Sequence, residues 1–97
     1  MISAYVLAVL NVTNPDGFQG YADLALPSLA AFGVKPLAVG PATALEGSNP
    51  WQRYVLLEFP DMASVQAWYD SPEYQAAIPL RLENSDTGFL VALQGLG

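Results

Sequence analysis

Apolar and polar positions divide this chain into stretches with strand-like and helix-like periods. Ser3 to Val12 is an uncharged run of mostly Tyr, Val, Leu and Ala, which suits a strand buried on both faces. Asn14-Pro15-Asp16 then offers an N-cap, a proline at the first helical position and a carboxylate where the helix dipole favours it. Phe18, Tyr21, Ala22, Ala25, Leu29 and Phe32 follow at spacings that share one helical face, and Gly33 is placed to end the helix. Pro27 lies inside this pattern and predicts a kink, because it removes a backbone donor. Val34 to Val39 reads as a short second strand stopped by Gly40-Pro41, and Ala42 to Pro50 reads as a loop. Trp51 to Phe59 alternates, with Tyr54, Leu56 and Glu58 on one face and Trp51, Arg53, Val55, Leu57 and Phe59 on the other. Both faces are expected to be largely buried. Asp61 caps a second helix carrying Val65, Trp68 and Tyr69, and Ser71-Pro72-Glu73 opens another short one that Pro79 is expected to close. Asn84 to Gly88 reads as a polar turn and Phe89 to Gln94 as the last strand.

The order is strand, helix, strand, strand, helix, strand. It predicts a single α+β domain over residues 1–97, a ferredoxin-like split β-α-β with both helical layers on one face of a four-stranded antiparallel sheet. Strands apolar on both sides then leave one sheet face uncovered, and a second copy of the chain is the economical cover, so a homodimer is expected.

Composition sharpens this reading. Hydrophobic residues make up 53% of the chain and charged residues 12%, against about 25% charged in an average domain, which again asks for a second buried surface. The longest apolar run, Ala4 to Leu10, is far short of the ~18 residues a membrane helix needs. Met1 to Val12 carries no Lys or Arg of a signal peptide, so a cytoplasmic location is expected and no membrane partner. With no cysteine there is neither disulfide nor thiolate chemistry, and with no histidine the commonest general base and metal ligand are missing. No metal and no cofactor are expected. A net charge of -6 with only Lys35, Arg53 and Arg81 as cations argues against nucleic acid.

Arg53 and Glu58 draw attention as charges in a strand otherwise built for burial, where each needs a partner. Their positions put them on opposite faces, so they cannot pair with each other within the strand. One reading makes them structural ion pairs or interface contacts. The other makes Glu58 a general base and Arg53 the holder of a carboxylate or enolate oxygen. Trp68, Tyr69 and Tyr74 cluster where the helical region breaks, with Arg81 not far along the chain, and either pack as core or line a cavity. Tyr5 and Tyr54 are open to the same two readings. Ser71 is a cap and not a nucleophile, since nothing in the chain is placed to activate it.

Arg53 to Phe59, followed by Trp68-Tyr69-Asp70-Ser71-Pro72-Glu73-Tyr74-Gln75, resembles domain-of-unknown-function family 1330 of the dimeric α+β barrel superfamily. Ala4-Tyr5-Val6, Leu45-Glu46-Gly47 and Glu58-Phe59-Pro60 extend the resemblance over nearly the whole chain. It implies that two four-stranded sheets close a barrel across a dimer, in a superfamily where cofactor-free oxygenases and isomerases occur beside members without known catalysis. The chain departs from the pattern at Phe32-Gly33-Val34-Lys35-Pro36, where paired glycines and an arginine are usual, and lacks a further arginine near Val39. A more apolar ligand is therefore expected. The leading expectation is a homodimer with one pocket per subunit, between sheet and helices, for a small and largely apolar organic molecule. A cofactor-independent proton transfer, isomerisation or oxygenation would employ Glu58, Arg53 and Tyr69 as catalytic residues. Tyr5, Tyr54, Trp68, Tyr74 and Arg81 would bind the substrate. The alternative is a non-catalytic binding or interaction module.

Overall fold

A computed structural model describes residues 2–96. The elements are β1 (Ala4–Val12), α1 (Pro15–Ala30), β2 (Lys35–Gly40), β3 (Arg53–Phe59), α2 (Met62–Asp70), α3 (Pro72–Asn84) and β4 (Ser85–Gln94). The four strands form one antiparallel sheet in the order β2-β3-β1-β4, the ferredoxin-like arrangement that the element order predicts. The helices cover one face. Ala4 and Val6 of β1 and Leu57 and Phe59 of β3 point to that side and form the core with Ala25 and Leu29 of α1, Val65 and Trp68 of α2, and Tyr74 and Ala77 of α3.

Local chemistry explains most of the boundaries. Pro15 starts α1, and Asp61 caps α2 by accepting from the backbone N–H of Ser64 at 2.7 Å. That bond holds the Asp61 carboxyl below its ordinary range. The Ser71 hydroxyl donates to the Trp68 carbonyl at 2.7 Å and accepts from the Tyr74 N–H at 3.3 Å, joining the end of α2 to the start of α3. Gly33, at φ 67°, makes the turn from α1 into β2.

Two expectations fail between Pro79 and Gly88. Pro79 does not close the helix, which continues to Asn84. The carbonyl its missing N–H leaves free belongs to Gln75, and both residues are exposed, so water can satisfy it. Residues 84–88 are not a turn either. The Asn84 carbonyl accepts from the N–H groups of Thr13 and Asn14 at 2.9 and 3.1 Å, and β4 begins pairing with β1 at Ser85. Asn84 also approaches α1 so closely that a Cβ on Gly17 would lie 2.0 Å from its side-chain oxygen. In β4 the register shifts so that Val9 faces Phe89 while Leu10 faces Thr87. Gly88 is the extra residue of this bulge, and the Trp51 ring sits where its Cβ would be. The bulge turns both Thr87 and Leu90 toward the helices.

On the other sheet face the described residues bury Val9 fully but leave most of the surface open. Tyr5, Leu7, Tyr54, Leu56 and Glu58 are half-buried there, and Phe89, Val91 and Leu93 are exposed. The expected burial of β3 on both faces is therefore met, within one subunit, only at Leu57 and Phe59 on the helix side.

Candidate functional site

Between the sheet and α1 lies a cavity of about 230 Å³, below the ~300–1,000 Å³ typical of drug-sized ligand pockets and suited to a smaller molecule. Its walls are almost wholly apolar. Phe18, Ala22, Ala25, Leu26 and Leu29 come from α1, Ala8 and Leu10 from β1, and Val55 and Leu57 from β3, because the helical and strand periods bring these positions to the same interface. The polar groups on its walls are few. The Tyr21 hydroxyl lies 3.0 Å from that of Tyr74, Arg81 enters from α3, and Arg53 stands at an exposed position with its guanidinium carbon 5.5 Å from the Phe18 ring centroid.

A second depression of about 350 Å³ lies on the β4 side, lined by Val65 and Tyr69 of α2, Leu82 of α3, and Val6 and Thr87 of the sheet. Arg81, Trp68 and Leu90 border both spaces.

Trp68 is the wall's fixed point. Its ring centroid lies 4.0 Å from that of Tyr74 and 5.4 Å from that of Phe59, and its indole N–H donates to the Ser28 hydroxyl at 3.1 Å. Ser28 in turn donates to the Ala25 carbonyl at 2.6 Å, so the buried polar atoms of this pair are both satisfied.

Burial pushes the Tyr21 and Tyr74 hydroxyls above the ordinary phenol value, Tyr21 far above it, and the nearby Arg81 charge opposes the rise. Both are therefore neutral donors at physiological pH. A phenol whose pKa is raised by folding adds stability that is fully present below its unfolded value, near 10, and disappears as pH climbs through the folded value. Urea titrations at rising pH should show the chain losing stability above about pH 10. In the double variant Tyr21→Phe/Tyr74→Phe that alkaline loss should be clearly reduced, and an unchanged loss would contradict the pairing described here.

The structure separates the residues singled out from sequence into two groups. Trp68 and Arg81 line the cavity, Tyr74 backs it through Tyr21, Arg53 stands at its mouth, and Tyr69 lines the adjoining depression at an exposed position. Tyr5, Tyr54 and Glu58 lie on the opposite, uncovered face. There the Tyr5 hydroxyl donates to Glu58 at 3.1 Å, Lys35 approaches Glu58 at 3.9 Å, and Tyr54 donates to Asn49 at 2.5 Å. The Tyr5 hydroxyl is held above its usual value by the Glu58 hydrogen bond and charge. Glu58 and Arg53 thus occupy different surfaces, as their alternation requires. Neither is deeply buried: Arg53 is exposed at the start of its strand, and the Glu58 side chain keeps 29% of its surface. Two further residues of this region, Tyr21 and Thr87, carried no recognisable signal. Tyr21 reads as one more apolar helix position, and Thr87 falls in what looks like a turn.

No group of three or more acidic side chains that could hold a metal occurs among the described residues. No helix among them is long and apolar enough to cross a membrane.

Comparison with known proteins agrees with this architecture. The family model described as "Domain of unknown function (DUF1330)" matches residues 3–96. No curated protein matches. A solved protein of unknown function from Rhodopseudomonas palustris is 18% identical with a TM-score of 0.79, covering 99% of this chain and 84% of its own. A dimeric ferredoxin-like protein of unknown function from Thermobifida fusca is 20% identical with a TM-score of 0.63, covering 96% and 89%. A similar dimeric protein from Jannaschia is 19% identical with a TM-score of 0.66, covering 95% and 96%.

Proposed function

The chain belongs to the DUF1330 family, and from that premise we propose that it is a homodimer whose subunits each bind a small, largely apolar organic molecule between sheet and helices. The observation that carries the reading is the cavity under α1: apolar walls, with a few polar groups at defined positions, are the usual anatomy of a small-molecule site. The homodimer rests on the uncovered apolar sheet face and on the dimeric relatives of the same fold.

The groups lining the cavity favour binding and polarisation over proton removal. Tyr21, Arg53 and Arg81 are donors, suited to holding a carbonyl, enolate or carboxylate oxygen, and among the described residues no carboxylate lines the cavity that could serve as a base. Glu58 could act on a molecule held at the other face, within the dimer, but not on one held under α1. A cofactor-independent reaction in this cavity would be one that oxyanion stabilisation alone can promote.

A cavity-filling variant tests the reading. Ala22 lines the cavity and is only half-buried, so Ala22→Phe should place its ring in the empty space without displacing the core. The expected result is an unchanged or raised thermal midpoint with apolar-probe affinity reduced about tenfold or more, tenfold corresponding to ~1.4 kcal/mol. Undiminished binding by a folded Ala22→Phe protein would place the ligand elsewhere and favour a purely structural or interaction role for the domain.

A further inference from the structure

The chain carries nine carboxylates and three cations. In so acidic a protein a buried arginine would be expected to sit against one of those carboxylates, since an unpaired internal charge is costly. Arg81 does not. It is only 7% exposed, yet it forms no ion pair and no side-chain hydrogen bond among the described residues, and its Nε is buried without a partner. The single ion pair found among these residues, Lys35 with Glu58, is on the opposite face of the sheet.

A second orphan lines the same depression. The Thr87 hydroxyl is also buried without a partner, and Thr87 and Arg81 line the same depression, which adjoins the apolar cavity at Arg81, Trp68 and Leu90. Two unpaired polar groups thus line the depression, and one of them, Arg81, also lines the apolar cavity. Arg53, the third cation and likewise without an ion pair among the described residues, stands at the mouth of the cavity. The Tyr21 and Tyr74 hydroxyls are close enough to feel the Arg81 charge, and among the described residues no carboxylate lies in the walls of either space.

We infer that the ligand is an organic anion, a compact apolar body bearing one carboxylate, seated with its body under α1 and its carboxylate between Arg81 and Thr87. This inference rests on the cavity being the binding site, and it adds the class of molecule that the site takes. The planar guanidinium and the Thr87 hydroxyl supply donors to the two carboxylate oxygens, and the charge that is costly in the empty protein becomes the source of selectivity when filled. A carboxamide of the same shape has a single acceptor oxygen and no charge, so it can pair at most one of the two donors and makes no charge-assisted bond.

The test uses matched pairs that differ only in charge: hexanoate with hexanamide, phenylacetate with phenylacetamide, and cyclohexanecarboxylate with its carboxamide. Each is titrated into the intact protein while the Trp68 indole N–H is followed by NMR, with Trp51→Phe to assign it. Acids should bind about tenfold or more tightly than their amides, as expected for a charge-assisted contact in a buried site. In Arg81→Met, which keeps the apolar length of the side chain, the acids should lose far more affinity than the amides, so that the preference vanishes. If acid and amide bind the unmodified protein equally, the anion assignment falls and the apolar site stands. If neither member of any pair moves the Trp68 signal, the cavity itself is not the site and both readings fall. The comparison on unmodified protein decides the matter even if Arg81→Met does not fold.

Discussion

Leu56→Lys should give a folded monomer. Leu56 sits mid-strand on the uncovered face, in register with Leu7 of β1 and Ala38 of β2, and is flanked across the sheet by the exposed apolar side chains of β4. Within one subunit the substitution is nearly free, because a half-buried surface position lets the long lysine stem lie along the sheet with its ammonium in water. Within a dimer that closes over this face, each copy would bring an unpaired ammonium into an apolar interface, and two-fold symmetry supplies it twice. Desolvated or like charges at interfaces cost several kcal/mol, so dimer dissociation should become stronger by about two to three powers of ten. Sedimentation equilibrium reads this directly, and circular dichroism confirms that the monomer is folded. A dimer as tight as the unmodified one would mean that the subunits meet through some other surface.

The second large effect is expected inside the subunit. Trp68→Ala should lower the stability by ~3–5 kcal/mol, the usual cost of emptying a large aromatic site in a core. Trp68 is 2% exposed, packs on Tyr74 and Phe59, and holds the Ser28 hydroxyl across from α1, so its removal detaches α2 from both the sheet and α1. Trp68→Phe should cost less, since much of the apolar contact survives while the hydrogen bond to Ser28 is lost. Urea unfolding measures both. A loss under about 1 kcal/mol for Trp68→Ala would show that the site collapses around the gap and that Trp68 is not the anchor described here.

Much of the architecture was legible in the chain because its signals are local. Pro15, Asp61 and Ser71 start helices by chemistry that acts within one turn, and the alternation of β3 correctly sent Arg53 and Glu58 to opposite faces. The reading failed where a local signal was overruled from a distance. Pro79 and the polar run 84–88 both argue for a break, yet Asn84 is tied to Thr13 and Asn14, some 70 residues away in sequence, and this contact carries the chain from helix directly into strand. Losing the four residues 85–88 from β4 hid the bulge at Gly88, and with it the fact that Thr87 faces the helices and lines the same depression as Arg81. The burial of Arg81 was hidden for the same reason. A basic residue in the last turn of a helix normally reads as a solvated partner of the helix dipole, and only the packing of α3 on the sheet shows it enclosed.

The candidate site divides in the same way. Trp68, Tyr74 and Arg81 were recognisable as a group because they lie within fourteen residues of one another on consecutive helices. Grouping them with Glu58, Tyr5 and Tyr54 was not warranted by geometry, since the sheet separates the two sets, and no pattern in the sequence says which face of a two-sided apolar strand will meet helices and which will meet a partner.

Native mass spectrometry of protein purified gently from its own host reads both the dimer and the occupancy of a chamber in each subunit in one spectrum. The expected spectrum is a dimer carrying a reproducible extra mass, at up to one copy per subunit, that is lost in Ala22→Phe. A monomer, or a dimer whose extra mass persists unchanged in Ala22→Phe, would contradict it.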